Sequence, residues 1–100
     1  MHITVLTPDK NVFKGDITSV KVPGTNGQFQ VLKNHAPIVS SLEAGEIFIV
    51  TAGGEYSFFN EESGSIEKGT ESGRTITFKI GGGFIEVLNN EVSLLVQGIR

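Results

Sequence analysis

Hydrophobic residues recur at every second position in many short runs of this chain, which is the period expected of β-strands with one buried face. Ile76, Phe78 and Ile80 share one face of such a run. The stretch EIFIVT at residues 46–51 is apolar on both faces, as in a strand covered by two layers. No window of eleven or more residues has a helical period. The predicted strands are residues 2–6, 12–14, 17–22, 28–32, 46–51, 56–59, 75–80, 84–88 and 91–96.

Turn residues separate these runs and indicate how the strands connect. Asn26-Gly27 predicts a tight turn, because both residue types tolerate a positive φ at little cost. Asn89-Asn90 predicts a second hairpin, and AGGE at residues 52–55 predicts a hairpin turn into residues 56–59. The glycine triplet at residues 81–83 precedes a strand and not a helix, so it favours a bulge, a bend or a close backbone approach over a phosphate-binding loop.

Many short strands with regular turns favour a single all-β domain over residues 1–100, a small antiparallel β-sandwich of about eight to ten strands without a helical domain. Tyr56 and the seven Phe residues are predicted mainly to fill its core. Residues 60–73, NEESGSIEKGTESG, are polar and predict an extended hairpin tip or a solvated loop. The segment carries four carboxylates, but a metal site needs rigid, convergent ligands, and none is predicted here. These carboxylates are Glu61, Glu62, Glu67 and Glu71.

Composition narrows the classes of function. The formal net charge is −3 with eight Lys and Arg, so a nucleic-acid partner is not expected. There is no Cys, which excludes disulfides and thiolate metal sites. The N-terminus does not have the pattern of a signal peptide, and the apolar runs are too short to span a bilayer. These features predict a cytoplasmic protein.

No arrangement of residues indicates catalysis. There is no G-x-S-x-G elbow, no P-loop and no carboxylate pair singled out by its spacing, so neither a catalytic residue nor a cofactor is predicted. His35 stands just before Ala36-Pro37, where a histidine is more often structural or an interface donor than a base. The residues alone predict a binding or assembly module. A generic sandwich that binds a peptide or a carbohydrate is one alternative to an assembly subunit, and a small hydrolase is another.

Three stretches carry a family resemblance. They are ITVLTPDKNVFKGDITSVKVPGTNG at residues 3–27, NGQFQVLKNHAPIVSSLEAGEI at residues 26–47 and GGGFIEVLNNEVSLLV at residues 81–96. The order and spacing of His35-Ala36-Pro37-Ile38 and of Gly82-Gly83-Phe84-Ile85-Glu86-Val87 resemble the epsilon subunit of bacterial F-type ATP synthase. The resemblance covers the chain apart from residues 60–73.

The resemblance implies a non-catalytic rotor subunit in the central stalk. Such a subunit links the gamma subunit to the c-ring and couples proton flow to ATP synthesis. It is peripheral, on the cytoplasmic face of the bacterial inner membrane, and meets the membrane only through the complex. Family members commonly continue into a C-terminal helical hairpin, whereas this sequence ends at Arg100, so no regulatory role of that hairpin is carried over.

The resemblance also implies two sets of contact residues. The turn Asn26, Gly27, Gln28 and Phe29 corresponds to the end that meets the c-ring loops. Many relatives have an acidic residue where this chain has Gln28, whose amide can still hydrogen-bond. Thr7, His35 and Ser40 correspond to positions that lie toward the gamma subunit. Alternatively, His35 only satisfies a local backbone group.

Overall fold

Ten β-strands make up most of the protein in a computed structural model that describes residues 1–60 and 63–99. The described residues contain no helix, and therefore none long and apolar enough to cross a membrane. The strands are β1 (His2–Leu6), β2 (Asn11–Gly24), β3 (Gly27–Leu32), β4 (Ile38–Leu42), β5 (Gly45–Ala52), β6 (Tyr56–Asn60), β7 (Ser65–Gly69), β8 (Ser72–Ile80), β9 (Gly82–Leu88) and β10 (Glu91–Gln97).

The long strand β2 belongs to both layers of a sandwich. Its first half pairs with β1 and β6, and its second half pairs with β3 and β5. The first layer therefore has the order β4-β9-β10-β1-β2-β6-β7, and the second has the order β3-β2-β5-β8. The sequence predicts two separate runs at residues 12–14 and 17–22, but the structure joins them into one strand of 14 residues. The β-sandwich prediction is confirmed.

The sandwich is not purely antiparallel, because β1 and β10 run parallel to each other. β1 lies between β10 and β2, so the first strand of the chain pairs with the last. No hairpin turn connects these two strands, and their relative direction is therefore not set by a local turn. The amide of His2 donates to the carbonyl oxygen of Asn90 at 2.9 Å, and the amide of Ile17 donates to that of Met1 at 2.8 Å.

The core is a single cluster of hydrophobic side chains between the layers. Alternation along most strands sends every second residue inward, as β10 shows with Val92, Leu94 and Val96 buried. Tyr56 and Phe13 stack in this core with ring centroids 5.7 Å apart. Most aromatic residues are buried or half-buried, as predicted, and Phe84 is the exception.

The turns agree only in part with the sequence. Asn89 and Asn90 form the predicted hairpin, with φ values of 51° and 62°. In the β2–β3 hairpin the two linking residues are Thr25 and Asn26, and only Gly27, at φ 115°, adopts a positive φ. The hairpin expected from residues 52–55 does not exist, because β6 pairs with β2 and β7 and not with β5. A glycine-rich turn sets a change of direction, but it does not choose the pairing partner.

The glycine triplet makes a close backbone contact, and the described part of the polar segment contains strand β7. A Cβ added at Gly83 would overlap the carbonyl oxygen of Leu95, so the predicted close backbone approach is confirmed. Within residues 60–73, β7 pairs with β6, and β8 already begins at Ser72. Glu61 and Glu62 lie outside the described residues. A side-chain oxygen of Glu67 accepts a hydrogen bond from the side-chain nitrogen of Asn60 at 3.0 Å.

Candidate docking surface

An apolar row crosses three neighbouring strands on the outer face of the first layer. Leu6 of β1 lies opposite Leu95 of β10, and Leu95 lies opposite Phe84 of β9. Leu95 is 54% exposed and Phe84 is 58% exposed, while their chain neighbours Leu94 and Ile85 are fully buried. Each of these two strands thus carries an exposed apolar side chain next to a buried one, although only one face lies against the core. We call Leu6, Leu95 and Phe84 the apolar row.

The apolar row leads into an open groove at one end of the sandwich. The groove has a volume of about 610 Å³ and is also lined by Thr7, Pro8, Ser41 and the glycines at residues 81–83. Hydroxyl groups and glycine backbone therefore flank an apolar wall. Exposed apolar surface of this shape, with a polar rim, is typical of a site where another molecule docks.

Charged residues are few on this side of the molecule. β4, β9 and β10 together contain two, Glu86 and Glu91, and both are acidic. β1 adds His2, whose ring Nδ1 lies 3.3 Å from a carboxylate oxygen of Asp16. Over β4, β9 and β10 a partner would meet an apolar surface with weak negative charge, whereas β2, beyond β1, adds the exposed Lys14 and Asp16.

Of the three residues implied as gamma-facing, Thr7 lines the groove. Its hydroxyl accepts hydrogen bonds from the backbone amides of Asp9 and Lys10, at 3.3 and 3.2 Å, which fixes the turn between β1 and β2. Ser40 is half-buried on the inner side of β4, and its hydroxyl donates to the carbonyl oxygen of Ser41 at 3.3 Å. Ser41, one residue further, is the serine of β4 that lines the groove.

His35 lies away from Thr7, beyond the other end of the same layer. β4 pairs Ser41 with Phe84 at the groove end and Ile38 with Val87 near the far end, and His35 precedes Ile38 by three residues. The ring Nδ1 of His35 is 2.7 Å from the carbonyl oxygen of Ala36. This local contact fits the alternative in which His35 satisfies a neighbouring backbone group.

The residues implied for the c-ring contact cluster at the groove end of the molecule. The Thr25–Asn26 link follows Gly24, which pairs with Leu42 of β4, and Leu42 pairs with Gly83. Asn26, Gly27 and Gln28 are exposed there. Phe29 is instead half-buried and packs against the core, so it supports the turn from inside.

Sequence reasoning missed the apolar row, together with Ser41 and with Val39, an exposed residue of β4. The available signal was the pair Leu94-Leu95 and the run FIEVL, in which apolar residues occupy both faces of strands. That pattern is the same one seen in a fully buried strand, so the sequence does not distinguish a second core face from a docking face. Only the sheet order reveals that nothing in the described chain covers Leu95 and Phe84.

The described residues contain no group of three or more His, Asp or Glu side chains that could hold a metal ion. The hydrogen bond from Arg74 to the hydroxyl of Tyr56 raises the pKa of the Arg74 guanidinium above its usual value. This arginine therefore stays charged near neutral pH, so it is a fixed cation and not a proton donor.

Residues 1–70 match the sequence family described as ATP synthase, Delta/Epsilon chain, beta-sandwich domain. The chain belongs to this family. It is 36% identical over 97 residues to the ATP synthase epsilon chain of Chlorobaculum tepidum, a match that covers 97% of this chain and 89% of that one. It is 30% identical to the epsilon chain of Salinibacter ruber, with all of this chain and 60% of that one covered. The epsilon chain is not the catalytic subunit of the complex.

Solved structures have the same fold. The Euglena gracilis mitochondrial ATP synthase assembly of OSCP, F1 and c-ring contains a chain that superposes with a TM-score of 0.72 at 18% identity, covering 98% of this chain and 51% of that one. The structure of the central stalk and c-ring of the Tetrahymena thermophila mitochondrial ATP synthase contains a chain that superposes with a TM-score of 0.68 at 19% identity. The match covers 100% of this chain and 65% of that one. The present chain spans about 60% of the epsilon chains of Salinibacter ruber and Leptospira borgpetersenii.

Proposed function

We propose that this epsilon-type chain is a central-stalk rotor subunit of a proton-translocating F-type ATP synthase, in which it links the gamma subunit to the c-ring. In this role it couples proton flow to ATP synthesis without catalysing a bond change itself. The observation that carries the proposal is the apolar row, which is more than half exposed at Leu95 and Phe84 in a chain of this family. Such a surface favours a permanent protein partner, because burying one Leu or Phe side chain contributes about 1.5–3 kcal/mol.

The apolar row and the groove, with Thr7 and Ser41, are the surface assigned here to the gamma subunit. His35 lies near the far end of the same layer, outside the groove. The exposed turn with Asn26, Gly27 and Gln28 is assigned to the polar loops of the c-ring, where side-chain amides offer both donors and acceptors. Phe29, which packs against the core, supports that turn from inside and completes the c-ring set.

The location follows from these two contacts. The subunit would be held peripherally on the cytoplasmic face of the bacterial inner membrane, through the gamma subunit and the c-ring and without lipid contacts of its own. The net charge of −3 and the acidic character of the apolar face give no basis for a nucleic-acid partner.

The gamma contact is tested by titrating the purified chain with the gamma subunit of the same organism. Leu95→Ser and Phe84→Ser are expected to weaken binding by at least about 10-fold each, since each removes an exposed apolar contact. Ile66→Ser is the matched control, because Ile66 is 52% exposed on β7, outside the row. A folded wild-type chain that fails to bind the gamma subunit would overturn the proposal.

Crosslinking separates the two contacts. The chain has no Cys, so single cysteines at Gln28, Thr7 and Lys79 each report one surface of the assembled complex. We expect Gln28→Cys to crosslink to a c subunit and Thr7→Cys to crosslink to gamma. Lys79→Cys, on the outer face of the second layer, should give neither product. If Gln28→Cys instead crosslinks to gamma and Thr7→Cys to a c subunit, the orientation assigned to the chain is reversed.

A further inference from the structure

A second, smaller concavity lies on the same face, near its His35 end. It has a volume of about 210 Å³ and is lined by Pro37, Ile38, Val39, Glu86, Val87 and Leu88. Glu86 of β9 lies opposite Val39 of β4, and Leu88 follows two residues later on the same side of β9. The concavity therefore combines one carboxylate with apolar walls.

The carboxylate of Glu86 stands within an apolar surface. Val39 is 76% exposed, and Phe84 and Leu88, which flank Glu86 at two residues' distance, are also more than half exposed. Among residues 1–60 and 63–99, no cationic side chain forms an ion pair with Glu86. β4, β9 and β10 contain no Lys or Arg at all.

Any partner that covers this face must also accommodate the charge of Glu86. Burying Val39, Phe84 and Leu88 would also remove water from Glu86, and a carboxylate without a compensating cation makes such burial costly. A long basic side chain meets both needs, because its aliphatic stem packs on apolar surface while its charged head meets the carboxylate. Pro37 adds a rigid wall that has no backbone N–H to satisfy.

We propose that an arginine or lysine of the gamma subunit enters this concavity, with its cationic head on Glu86 and its stem against Pro37, Val39 and Leu88. The inference rests on the gamma contact proposed above and extends it from the apolar row to the His35 end of the face. The ion pair would set the register of the two subunits, since apolar packing alone is not directional. This gives Pro37 of the His-Ala-Pro segment a role as one wall of the site.

The test is an affinity titration of the gamma subunit against three forms of the chain at several salt concentrations. Glu86→Gln keeps the shape and removes the charge, and is expected to weaken binding by at least about 30-fold at low salt. Glu46→Gln is the matched control, because it makes the same change on the exposed outer face of the second layer, and it should bind like wild type. Thermal unfolding of each form verifies that Glu86→Gln is folded.

A charge exchange identifies the cation. Glu86→Arg should abolish binding, and reversal of one basic gamma residue to Glu should restore it. If wild type binds gamma and Glu86→Gln binds it equally well at every salt concentration, this inference is overturned and the proposed function stands. If the folded wild-type chain does not bind gamma, the proposed function fails and this inference fails with it.

Discussion

At the scale of single residues, the buried hydroxyl of Thr51 fastens the start of β8 to β5. It donates to the carbonyl oxygen of Glu71 at 2.6 Å and accepts from the amide of Arg74 at 3.0 Å. The Arg74 guanidinium donates to the hydroxyl of Tyr56 at 3.1 Å and lies 4.9 Å from the centre of the Phe58 ring. The link from β7 to β8 is thus held by a hydrogen bond at its last residue, Glu71, and the first residues of β8 are held by Arg74, whose cation lies over an aromatic ring.

Replacing Thr51 by Val should therefore destabilise the protein by about 2 kcal/mol, because the isosteric side chain leaves one donor and one acceptor without their partner. Thr51→Ser keeps the hydroxyl and loses one buried methyl group, so its cost should be smaller, about 1 kcal/mol. Chemical denaturation of both variants measures the difference. A Val variant as stable as the Ser variant would show that these two hydrogen bonds contribute no net stability.

At the scale of elements, the β9–β10 hairpin is tied to the β3–β4 loop through two asparagines. The side-chain oxygen of Asn90 accepts from the backbone amide of Asn34 at 2.6 Å, and its side-chain nitrogen donates to the Asn34 side-chain oxygen at 3.1 Å. This pair holds the loop that leads to His35 and Pro37. The wall of the concavity beside Glu86 therefore depends on a turn from a different hairpin.

Asn90→Gly should loosen that loop while leaving the hairpin intact, because glycine accepts the φ of 62° but lacks the side chain. We expect faster hydrogen exchange at the Asn34 amide and a loss of stability of about 1 kcal/mol. Asn89→Gly makes the same backbone change at φ 51° and should leave exchange at Asn34 unaltered. Equal exchange in the two variants would show that the loop holds itself in place.

At the scale of the whole molecule, β2 joins the two layers into one cooperative unit. Tyr56 is the only Tyr and there is no Trp, so its fluorescence reports on the first layer, whereas far-UV circular dichroism reports on all strands. Both signals should give one coincident unfolding transition. Ile49→Ala, fully buried in β5 of the second layer, should lower stability by about 3 kcal/mol and shift both signals equally. A Tyr56 signal that stays unchanged would indicate that the layers unfold separately.

The prediction of a sandwich from sequence succeeded because alternation and turn residues are local signals. Residues 75–80 and 84–88 lie within observed strands, and Asn89-Asn90 forms the predicted turn. Errors arose where pairing is decided at long range. The hairpin expected at residues 52–55 failed because β2 is the partner of both β5 and β6, and the parallel pairing of β1 with β10 joins opposite ends of the chain.

The sequence by itself determined the fold class and the family of this protein. Strand periodicity depends on neighbouring residues, and the ordered motifs around His35 and Gly83 are read directly along the chain. Only the tertiary structure decided which surface is available to a partner. Leu94 and Leu95 are equally apolar, yet one is buried and the other is 54% exposed. The side chain that faces the core depends on strand register and sheet order, which are fixed by contacts between residues distant in sequence.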